Sequence, residues 1–514
     1  MLKRANWVVC VMLTIGLLGC SSTNKSVHAK KAGPAYTPDW ESLKKHNPAP
    51  EWFRDAKFGI YFHWGVYSVP AFGSEWYPRN MYDKKGGPRG SRSSREYRHH
   101  VEVWGEPTEF GYPDFVPMFK AEKFDASEWA ELFVKAGARF AGPVAEHHDG
   151  YAMWDSEQTP WNAADTGPKR DITGELAKAI KSRGMKFVTT FHHARNNLWQ
   201  KKNRSGVLQW TGHYQFVQRD FPSLLEDPKN AILYGYMPRD KFLQMWKGKL
   251  IEVIDKYQPD LMWFDGWLDE IPEQTRMEYL AYYFNKAREW DREVVVTYKG
   301  EDLPRDVAME DYEKGRAAAL TDFVWLTDDT ISKGSWCYTE DLEIKSTAEV
   351  LRTFIDIVSK NGQLLLNISP MADGTIPENQ KQVLLEMGQW LSKYGESIYE
   401  TRPFVEYGEG PARMQRGGGF ARMRGAYGPE DIRYTRKGNV VYAILLGWPG
   451  ENKAVTMTMF GRDGKAQDVK VKSVSMLGSD EKIKWERNDS GLVITTPSRK
   501  VDDLAVVFKF DTSD

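Results

Sequence analysis

Polar residues that can take part in acid–base or metal chemistry follow several apolar runs of this chain. His63 follows the first run, His147 and His148 follow the second, His192 and His193 follow the third, and Asp265 follows the fourth. A single histidine in such a place is usually a structural hydrogen bonder, but five of the ten histidines stand at three of these ends. Because the carboxyl ends of parallel strands meet at one face of a barrel, we expect these side chains to share a polar pocket.

Two kinds of chemistry fit such a pocket. Histidines together with Asp149 and Asp265 could bind a divalent metal ion that activates water. Adjacent strand residues point to opposite sides, however, so His147 and His148 cannot easily bind one ion without a bulge. The other interpretation is a pair of carboxylates among neutral imidazoles and tryptophans, as glycoside cleavage requires: one attacks or stabilises the sugar cation, and one protonates the leaving oxygen. This second interpretation predicts no metal ion and no other cofactor.

The elements that would position these residues alternate between strands and helices. This alternation extends over about 350 residues, which predicts an α/β fold with a (β/α)8-type barrel as the catalytic domain at 39–398. No Gly-x-Gly-x-x-Gly motif opens a helix after any predicted strand, so the doubly wound alternative lacks support. The predicted buried strands are 57–64, 138–147, 185–193, 261–265, 293–299 and 363–368, and the predicted helices are 126–136, 174–182, 241–257, 273–290, 347–359 and 377–393.

The pattern changes after about residue 399. Short strand patterns separated by turn residues follow one another without helical patterns between them. This pattern predicts a C-terminal antiparallel β-sandwich domain at 399–514. The predicted strands are 432–435, 440–448, 469–472, 491–495 and 504–510.

The amino terminus has the pattern of a bacterial lipoprotein signal. Two basic residues precede an apolar run at 7–18, which is too short to span a bilayer. The run ends in Leu-Leu-Gly before Cys20, so we expect a signal peptide at 1–19, lipidation of Cys20 and a flexible tether at 20–38. Serine, and no aspartate, follows the cysteine, which predicts a lipid anchor in the outer membrane of a Gram-negative bacterium, on its periplasmic or cell-surface side. The alternative is a plain secretory signal with an incidental cysteine.

Composition excludes several classes of protein. Hydrophobic residues make up 41%, charged residues 27%, and the mean hydropathy is -0.58, as in a globular chain. The 70 basic residues nearly cancel the 71 acidic ones, so no bulk field favours binding to nucleic acid. Of the three cysteines, Cys10 lies in the predicted signal and Cys20 would be acylated, which leaves Cys337 without an intrachain disulfide partner.

Several ordered motifs of the chain resemble the α-L-fucosidases, family 29 of the glycoside hydrolases. The resemblance extends from about residue 38 to the end, because these fucosidases also carry a C-terminal β-sandwich. It rests on the first-strand segment 52–71 with Glu-Trp-Tyr at 75–77, His-His-Asp-Gly-Tyr at 147–151, Trp-Phe-Asp-Gly at 263–266, the last-strand segment 359–368, and Asp-Gly-Thr-Ile-Pro at 373–377.

The resemblance implies a retaining exo-α-L-fucosidase that removes terminal α-L-fucosyl residues from fucosylated glycans by double displacement. Asp265 takes the position of the nucleophile. The alternatives are a catalytically silent, lipid-anchored fucose-binding protein and an α-L-galactosidase-like variant. The residues expected to bind the sugar are His63, Glu75, Trp76, His147, His148, His192, Trp263 and Trp336.

The general acid of this family lies some tens of residues after the nucleophile, in a variable loop. Glu313 fits this role best, because it follows an aromatic residue that could shield it from water. Glu310 is the alternative, although Asp311 stands beside it as in a solvated acidic turn. A general acid must be protonated when the glycosidic oxygen departs, so we expect a raised pKa at the residue that fills the role.

Overall fold

The computed structural model describes residues 35–86, 93–203, 205–421 and 423–513. The predicted signal peptide, Cys20 and most of the predicted tether lie outside the described residues. Within the described ranges, no helix combines the length and the apolar character that a membrane crossing requires.

Eight parallel strands form the first sheet. The strand order is β6-β5-β4-β3-β2-β1-β8-β7. Strands that are consecutive in the chain are therefore neighbours in the sheet, which curves into a nearly closed barrel. A parallel β-bridge between Asp311, directly after β6, and Leu326 of β7 connects the two edges of the sheet. The strands are β1 (Phe58–Phe62), β2 (Phe140–Glu146), β3 (Lys186–Phe191), β4 (Leu261–Phe264), β5 (Val295–Tyr298), β6 (Met309–Glu310), β7 (Trp325–Thr330) and β8 (Gly362–Ile368).

Six of these strands were predicted from apolar runs, and the barrel confirms them. Every residue of β1, β2 and β8 is buried, as expected for parallel strands that are covered on both faces. The sequence did not predict β6 or β7. The first has only two residues, and the second reads Trp-Leu-Thr-Asp-Asp-Thr, whose polar half hides the strand pattern.

Six long helices cover the barrel, and each includes most of a predicted helix. Their amino termini are set by local chemistry: Asp125 accepts hydrogen bonds from two backbone amides of the first helix, and Ser346 forms a capping box with Glu349 in the fifth. The helices are α1 (Ala126–Lys135), α2 (Ile172–Ser182), α3 (Arg239–Tyr257), α4 (Glu273–Glu289), α5 (Thr347–Ser359) and α6 (Glu378–Tyr394).

Shorter elements fill the connections. An antiparallel hairpin pairs Trp199–Lys202 with Leu208–Thr211. The other α-helices of the described residues are Trp40–Leu43, Glu51–Ala56, Tyr77–Asn80, Arg95–Trp104, Tyr112–Phe115, Gln215–Asp220 and Pro228–Leu233.

The C-terminal region is antiparallel, as predicted. One sheet has the order β9-β10-β11-β16-β13 and the other β12-β15-β14, and both contribute to one apolar core that includes Tyr434, Ile494 and Phe508. The strands are β9 (Arg402–Glu409), β10 (Ile432–Lys437), β11 (Val440–Leu445), β12 (Ala454–Met457), β13 (Lys470–Met476), β14 (Lys484–Asn488), β15 (Gly491–Thr495) and β16 (Val506–Ser513).

Buried charges join this region to the barrel. Arg433 of β10 donates from Nε to Oδ1 of Asp356 in α5 over 2.6 Å, and Lys360 contacts the other carboxylate oxygen at 2.8 Å. Arg352 of the same helix donates to the backbone carbonyl of Leu504 over 2.9 Å. These contacts fix the position of the C-terminal sheets against the barrel.

Candidate active site

A cavity of about 380 Å³ opens at the carboxyl ends of the barrel strands. Eleven residues were proposed from the sequence for catalysis and sugar binding. Ten of them line this cavity, and the alternative acid Glu310 lies outside it. The lining residues are His63, Glu75, Trp76, His147, His148, His192, Trp263, Asp265, Gly266, Trp267, Lys299, Glu313, Asp328, Trp336 and Phe420.

Four histidines, His63, His147, His148 and His192, form what we call the histidine side of the cavity. The rings of His147 and His192 lie 4.3 Å apart between centroids, and His63 lies 5.3 and 5.2 Å from these two. Burial lowers the pKa of His63 to about 3 and lowers the pKa of His147 and of His192 well below the ordinary value. These three imidazoles are therefore neutral at neutral pH, and each offers one donor and one acceptor.

The unpaired ring nitrogens of the histidine side are suited to sugar hydroxyls. Nδ1 of His147, of His148 and of His192 is buried and has no hydrogen-bond partner among the described residues. Nδ1 of His63 lies 2.8 Å from Oδ1 of Asn367, a carbonyl oxygen, and therefore carries the proton. A bound ligand with several hydroxyl groups could satisfy the remaining nitrogens.

The same side also contains a possible set of metal ligands. One ring nitrogen of each of His63, His147 and His192 lies within 4.8 Å of the other two. This set differs from the one considered from the sequence, because it takes one histidine from each of three strands. Asp149, the carboxylate considered there, lies outside the cavity and accepts a hydrogen bond of 2.6 Å from the hydroxyl of Tyr112.

His193, the fifth strand-end histidine, does not belong to the pocket. Its ring stacks on Trp246 of α3 at 5.6 Å, and its Nε2 faces the backbone carbonyl of that residue at 3.4 Å. Consecutive residues after a strand point to opposite sides, so His192 faces the barrel while His193 faces the covering helix. The expectation that all five histidines share one pocket is wrong for this residue.

Asp265 follows β4 directly and receives contacts from two other strand ends. His148 contacts Oδ2 through Nε2 at 3.3 Å, and Lys299 contacts Oδ1 through Nζ at 3.2 Å. Burial acts to raise the pKa of Asp265, but the charge of Lys299 and the hydrogen bond from His148 outweigh it and hold the pKa well below its ordinary value. The carboxylate is thus ionised and accessible from the cavity.

Lys299 is the centre of a charged cluster that the sequence did not predict. Its Nζ lies 2.8 Å from Glu313, 3.5 Å from Asp328 and 3.9 Å from Asp311. We call Lys299 and these three acids the carboxylate side. Burial acts to lower the pKa of Lys299, but the surrounding carboxylates raise it well above the ordinary value, so the ammonium stays charged.

Glu313 and Glu310 have different environments although they are three residues apart. Burial raises the pKa of Glu313 to about 7; Lys299 opposes this, whereas the charges of Asp328 and Asp265 add to it. Glu310 is paired with Arg305 and also accepts from the hydroxyl of Tyr312 at 3.4 Å. Glu313 therefore has the environment expected of a proton donor, whereas Glu310 is held in an ion pair with Arg305 outside the cavity.

Comparisons with known proteins place this geometry in a family. Residues 23–396 match the family model for α-L-fucosidase, and residues 428–511 match the model for the α-L-fucosidase C-terminal domain. The chain belongs to the α-L-fucosidase family. Human tissue α-L-fucosidase is 31% identical over 497 residues, which cover 95% of this chain and 92% of the human protein. The bovine tissue enzyme is 32% identical over 467 residues, 89% of this chain and 86% of the relative.

Solved fucosidase structures share the fold. The crystal structure of the Thermotoga maritima α-fucosidase in complex with fucose superposes with a TM-score of 0.70 at 29% identity, covering 92% of this chain and all of that one. The same bacterial enzyme with a mechanism-based inhibitor gives 0.70 and 29%, over 93% of this chain and all of that one. The present fucosidase is therefore a glycoside hydrolase with the predicted barrel and C-terminal domain.

Other residues that line the cavity were not predicted from the sequence. Lys299 ends the predicted strand 293–299, so the strand-end rule could have found it. Asp328 lies inside the unpredicted β7, where Oδ2 accepts a hydrogen bond of 3.0 Å from the hydroxyl of Tyr61. Phe420 enters the cavity from the C-terminal region, and no strand-end signal marks it.

Proposed function

We propose that this fucosidase is a retaining, exo-acting enzyme in which Asp265 attacks the anomeric carbon and Glu313 protonates the leaving oxygen. One observation carries the proposal: Asp265 Oδ1 and Glu313 Oε2 lie 3.2 and 2.8 Å from the same Nζ of Lys299. These two oxygens can thus be no more than 6.0 Å apart, the sum of those distances. Retaining carboxyl pairs are separated by about 5 to 5.5 Å and inverting pairs by roughly 6.5 to 9.5 Å.

The two pKa shifts support the same assignment of roles. Asp265 is ionised because its pKa is held low, and Glu313 is protonated below about pH 7 because its pKa is raised. Such a divergence between neighbouring carboxyl groups separates a nucleophile from a general acid. When Asp265 becomes an ester in the glycosyl-enzyme, its negative charge disappears. The pKa of Glu313 then falls, and Glu313 becomes the base that activates water for the second step.

The remaining cavity residues support binding of a terminal fucosyl residue. The neutral histidine side offers hydrogen-bonding groups for hydroxyls, and Trp263 and Trp336 offer apolar surface. Glu75 fixes one wall, because its Oε2 accepts hydrogen bonds from the backbone amide of Trp336 at 3.0 Å and the hydroxyl of Ser335 at 3.2 Å. A fucosylated glycan with its terminal sugar in this cavity is the proposed substrate.

The configuration of the first product tests the mechanism. Proton NMR of an α-L-fucoside during early turnover should show α-L-fucose before mutarotation. β-L-fucose as the first product would contradict the retaining mechanism, and absence of turnover would favour the fucose-binding alternative. An α-L-galactoside compared in parallel measures how strictly the site selects fucose.

We also propose that the mature enzyme is anchored through a lipid on Cys20 in the outer membrane of a Gram-negative bacterium. The lipobox-like pattern and Ser21 after the cysteine support it. Cys20→Ser should move the protein from the membrane fraction to the soluble fraction, whereas the matched variant Cys10→Ser, within the apolar run, should stay membrane-bound. A Cys20→Ser protein that remains in the membrane would contradict the anchor.

A further inference from the structure

A hairpin of the C-terminal region reaches the rim of the cavity. Its short strands, Arg413–Met414 and Met423–Arg424, pair antiparallel between β9 and β10. Phe420, near its tip, lines the cavity together with the barrel residues. The hairpin lies between the two family-model matches, which end at residue 396 and begin again at residue 428.

Backbone contacts fix the tip of this hairpin to the loop that carries Glu313. The amide of Phe420 donates to the backbone carbonyl of Glu313 over 2.6 Å, and the amide of Gly418 donates to that of Arg316 over 3.2 Å. A Cβ atom on Gly315 would lie 2.1 Å from the carbonyl oxygen of Gly418, so this close approach requires glycine. Phe420 therefore keeps a defined position relative to Glu313.

The side chain of Phe420 is unusual for a large apolar residue. It is 59% exposed, although Trp263 and Trp336 in the same cavity are buried. Its φ is +51°, in the left-handed region that bulky residues rarely adopt. An exposed aromatic ring held on a strained backbone at a binding cavity points to a role in binding.

We propose that Phe420 forms the leaving-group subsite, where its ring stacks on the apolar face of the sugar to which fucose is attached. The proposal rests on the assignment of Glu313 as the general acid. That acid must reach the glycosidic oxygen, so the sugar beyond this oxygen lies on the Glu313 side of the cavity. Phe420 lies on this side, where its backbone amide is hydrogen-bonded to Glu313. A neutral pyranose offers a C–H face to such an aromatic ring.

Two substrates separate this role from the chemistry. In Phe420→Ala, kcat/KM for a disaccharide should fall about tenfold, the size expected for the loss of one ring-stacking contact. The disaccharide is α-L-fucose linked to galactose or to N-acetylglucosamine, whichever the unmutated enzyme cleaves faster. Hydrolysis of α-L-fucosyl fluoride, whose leaving group offers no ring, should stay within about twofold. Phe420→Trp should retain cleavage of the disaccharide.

A control variant and a pH profile test whether Phe420 contacts the leaving-group sugar. Trp485→Ala removes another exposed aromatic of the C-terminal region that does not line the cavity, and it should change neither rate. If Phe420→Ala lowered kcat/KM equally for the disaccharide and for the fluoride, Phe420 would not form a leaving-group subsite. A displaced alkaline limb of its pH profile would also overturn it, because Phe420 would then position Glu313 and not contact sugar. If the unmutated enzyme cleaved neither substrate, the proposed function itself would fail, which is a different outcome.

Discussion

The histidine side of the cavity presents buried imidazoles of which His63, His147 and His192 are neutral, whereas the carboxylate side holds the ammonium of Lys299 among acids. Neutral groups recognise hydroxyls without the cost of burying a charge. The charged groups of the carboxylate side, in contrast, shift one another's pKa values. In the proposed mechanism, sugar recognition and proton transfer are thus carried out at different strand ends of one barrel.

Asp265 lies between the two sides and is bound by both. His148 contacts one carboxylate oxygen and Lys299 contacts the other. We therefore expect that changes on the carboxylate side alter rates and the pH limits of activity, and that changes at Asp265 abolish hydrolysis.

The largest effect is expected from Asp265→Ala. Removal of the proposed nucleophile should lower kcat for an aryl α-L-fucoside by roughly 10⁴-fold or more, and azide should restore part of the rate by attacking in its place. The matched variant Asp269→Ala removes an exposed acid four residues further along the chain and should remain within about twofold. An Asp265→Ala enzyme within tenfold of the unmutated rate would remove Asp265 from the mechanism.

Glu313→Ala should give the next largest effect, and one that depends on the leaving group. Cleavage of natural fucosyl linkages should fall roughly 10² to 10⁴-fold, while an activated aryl fucoside retains a much larger share of its rate. As the proposed general acid, Glu313 must be protonated. Because its pKa is raised to about 7, unmutated activity should decline as the pH rises through about 7, and this limb should flatten in the variant.

Glu310→Ala is the control for this prediction. It removes an acid that is paired with Arg305 outside the cavity, so both substrates should be cleaved within about threefold of the unmutated rate. If Glu310→Ala instead showed the dependence on the leaving group, and Glu313→Ala did not, the role of general acid would pass to Glu310.

Lys299→Met tests how the carboxylate side couples its charges. Lys299 lowers the pKa of both Asp265 and Glu313, so its removal should move the acidic and the alkaline limbs of the pH profile to higher pH. We expect a loss of about 10²-fold near neutral pH. Lys345→Met, which removes a lysine paired with Asp329 at 2.9 Å outside the cavity, is the control. With thermal unfolding monitored for each variant, unmoved limbs in a folded Lys299→Met enzyme would contradict the coupling.

The smallest effect is expected from a metal chelator. If the histidine side binds sugar hydroxyls, dialysis against EDTA should change kcat/KM by less than about twofold. A loss of activity that Zn²⁺ restores would instead assign His63, His147 and His192 as ligands of a catalytic ion.

The sequence predicts the histidine side better than the carboxylate side, for a physical reason. The histidines follow β1, β2 and β3, whose apolar runs are unmistakable because both faces of these strands are covered. Asp328 lies within β7, which is half polar because Asp328 faces the cavity, while Asp329, on the other side of the strand, pairs with Lys345. A strand that contains the site loses the apolar pattern by which strands are predicted.

Contacts between distant residues decide what local sequence leaves open. Glu310 and Glu313 occupy one short segment, but Glu310 pairs with Arg305 outside the cavity and Glu313 pairs with Lys299 inside it. The hairpin with Phe420 is rich in glycine and has no apolar period, so nothing in its sequence indicates that it reaches the barrel.

The proposed retaining mechanism requires a covalent bond between the sugar and Asp265. The most direct measurement is to incubate the enzyme with 2-deoxy-2-fluoro-L-fucosyl fluoride, whose glycosyl-enzyme hydrolyses slowly, and to map the label by peptide mass spectrometry. We expect one fluorofucosyl group per chain, attached to Asp265. A label on Glu313 or another residue, or turnover of this reagent without any covalent species, would contradict the mechanism.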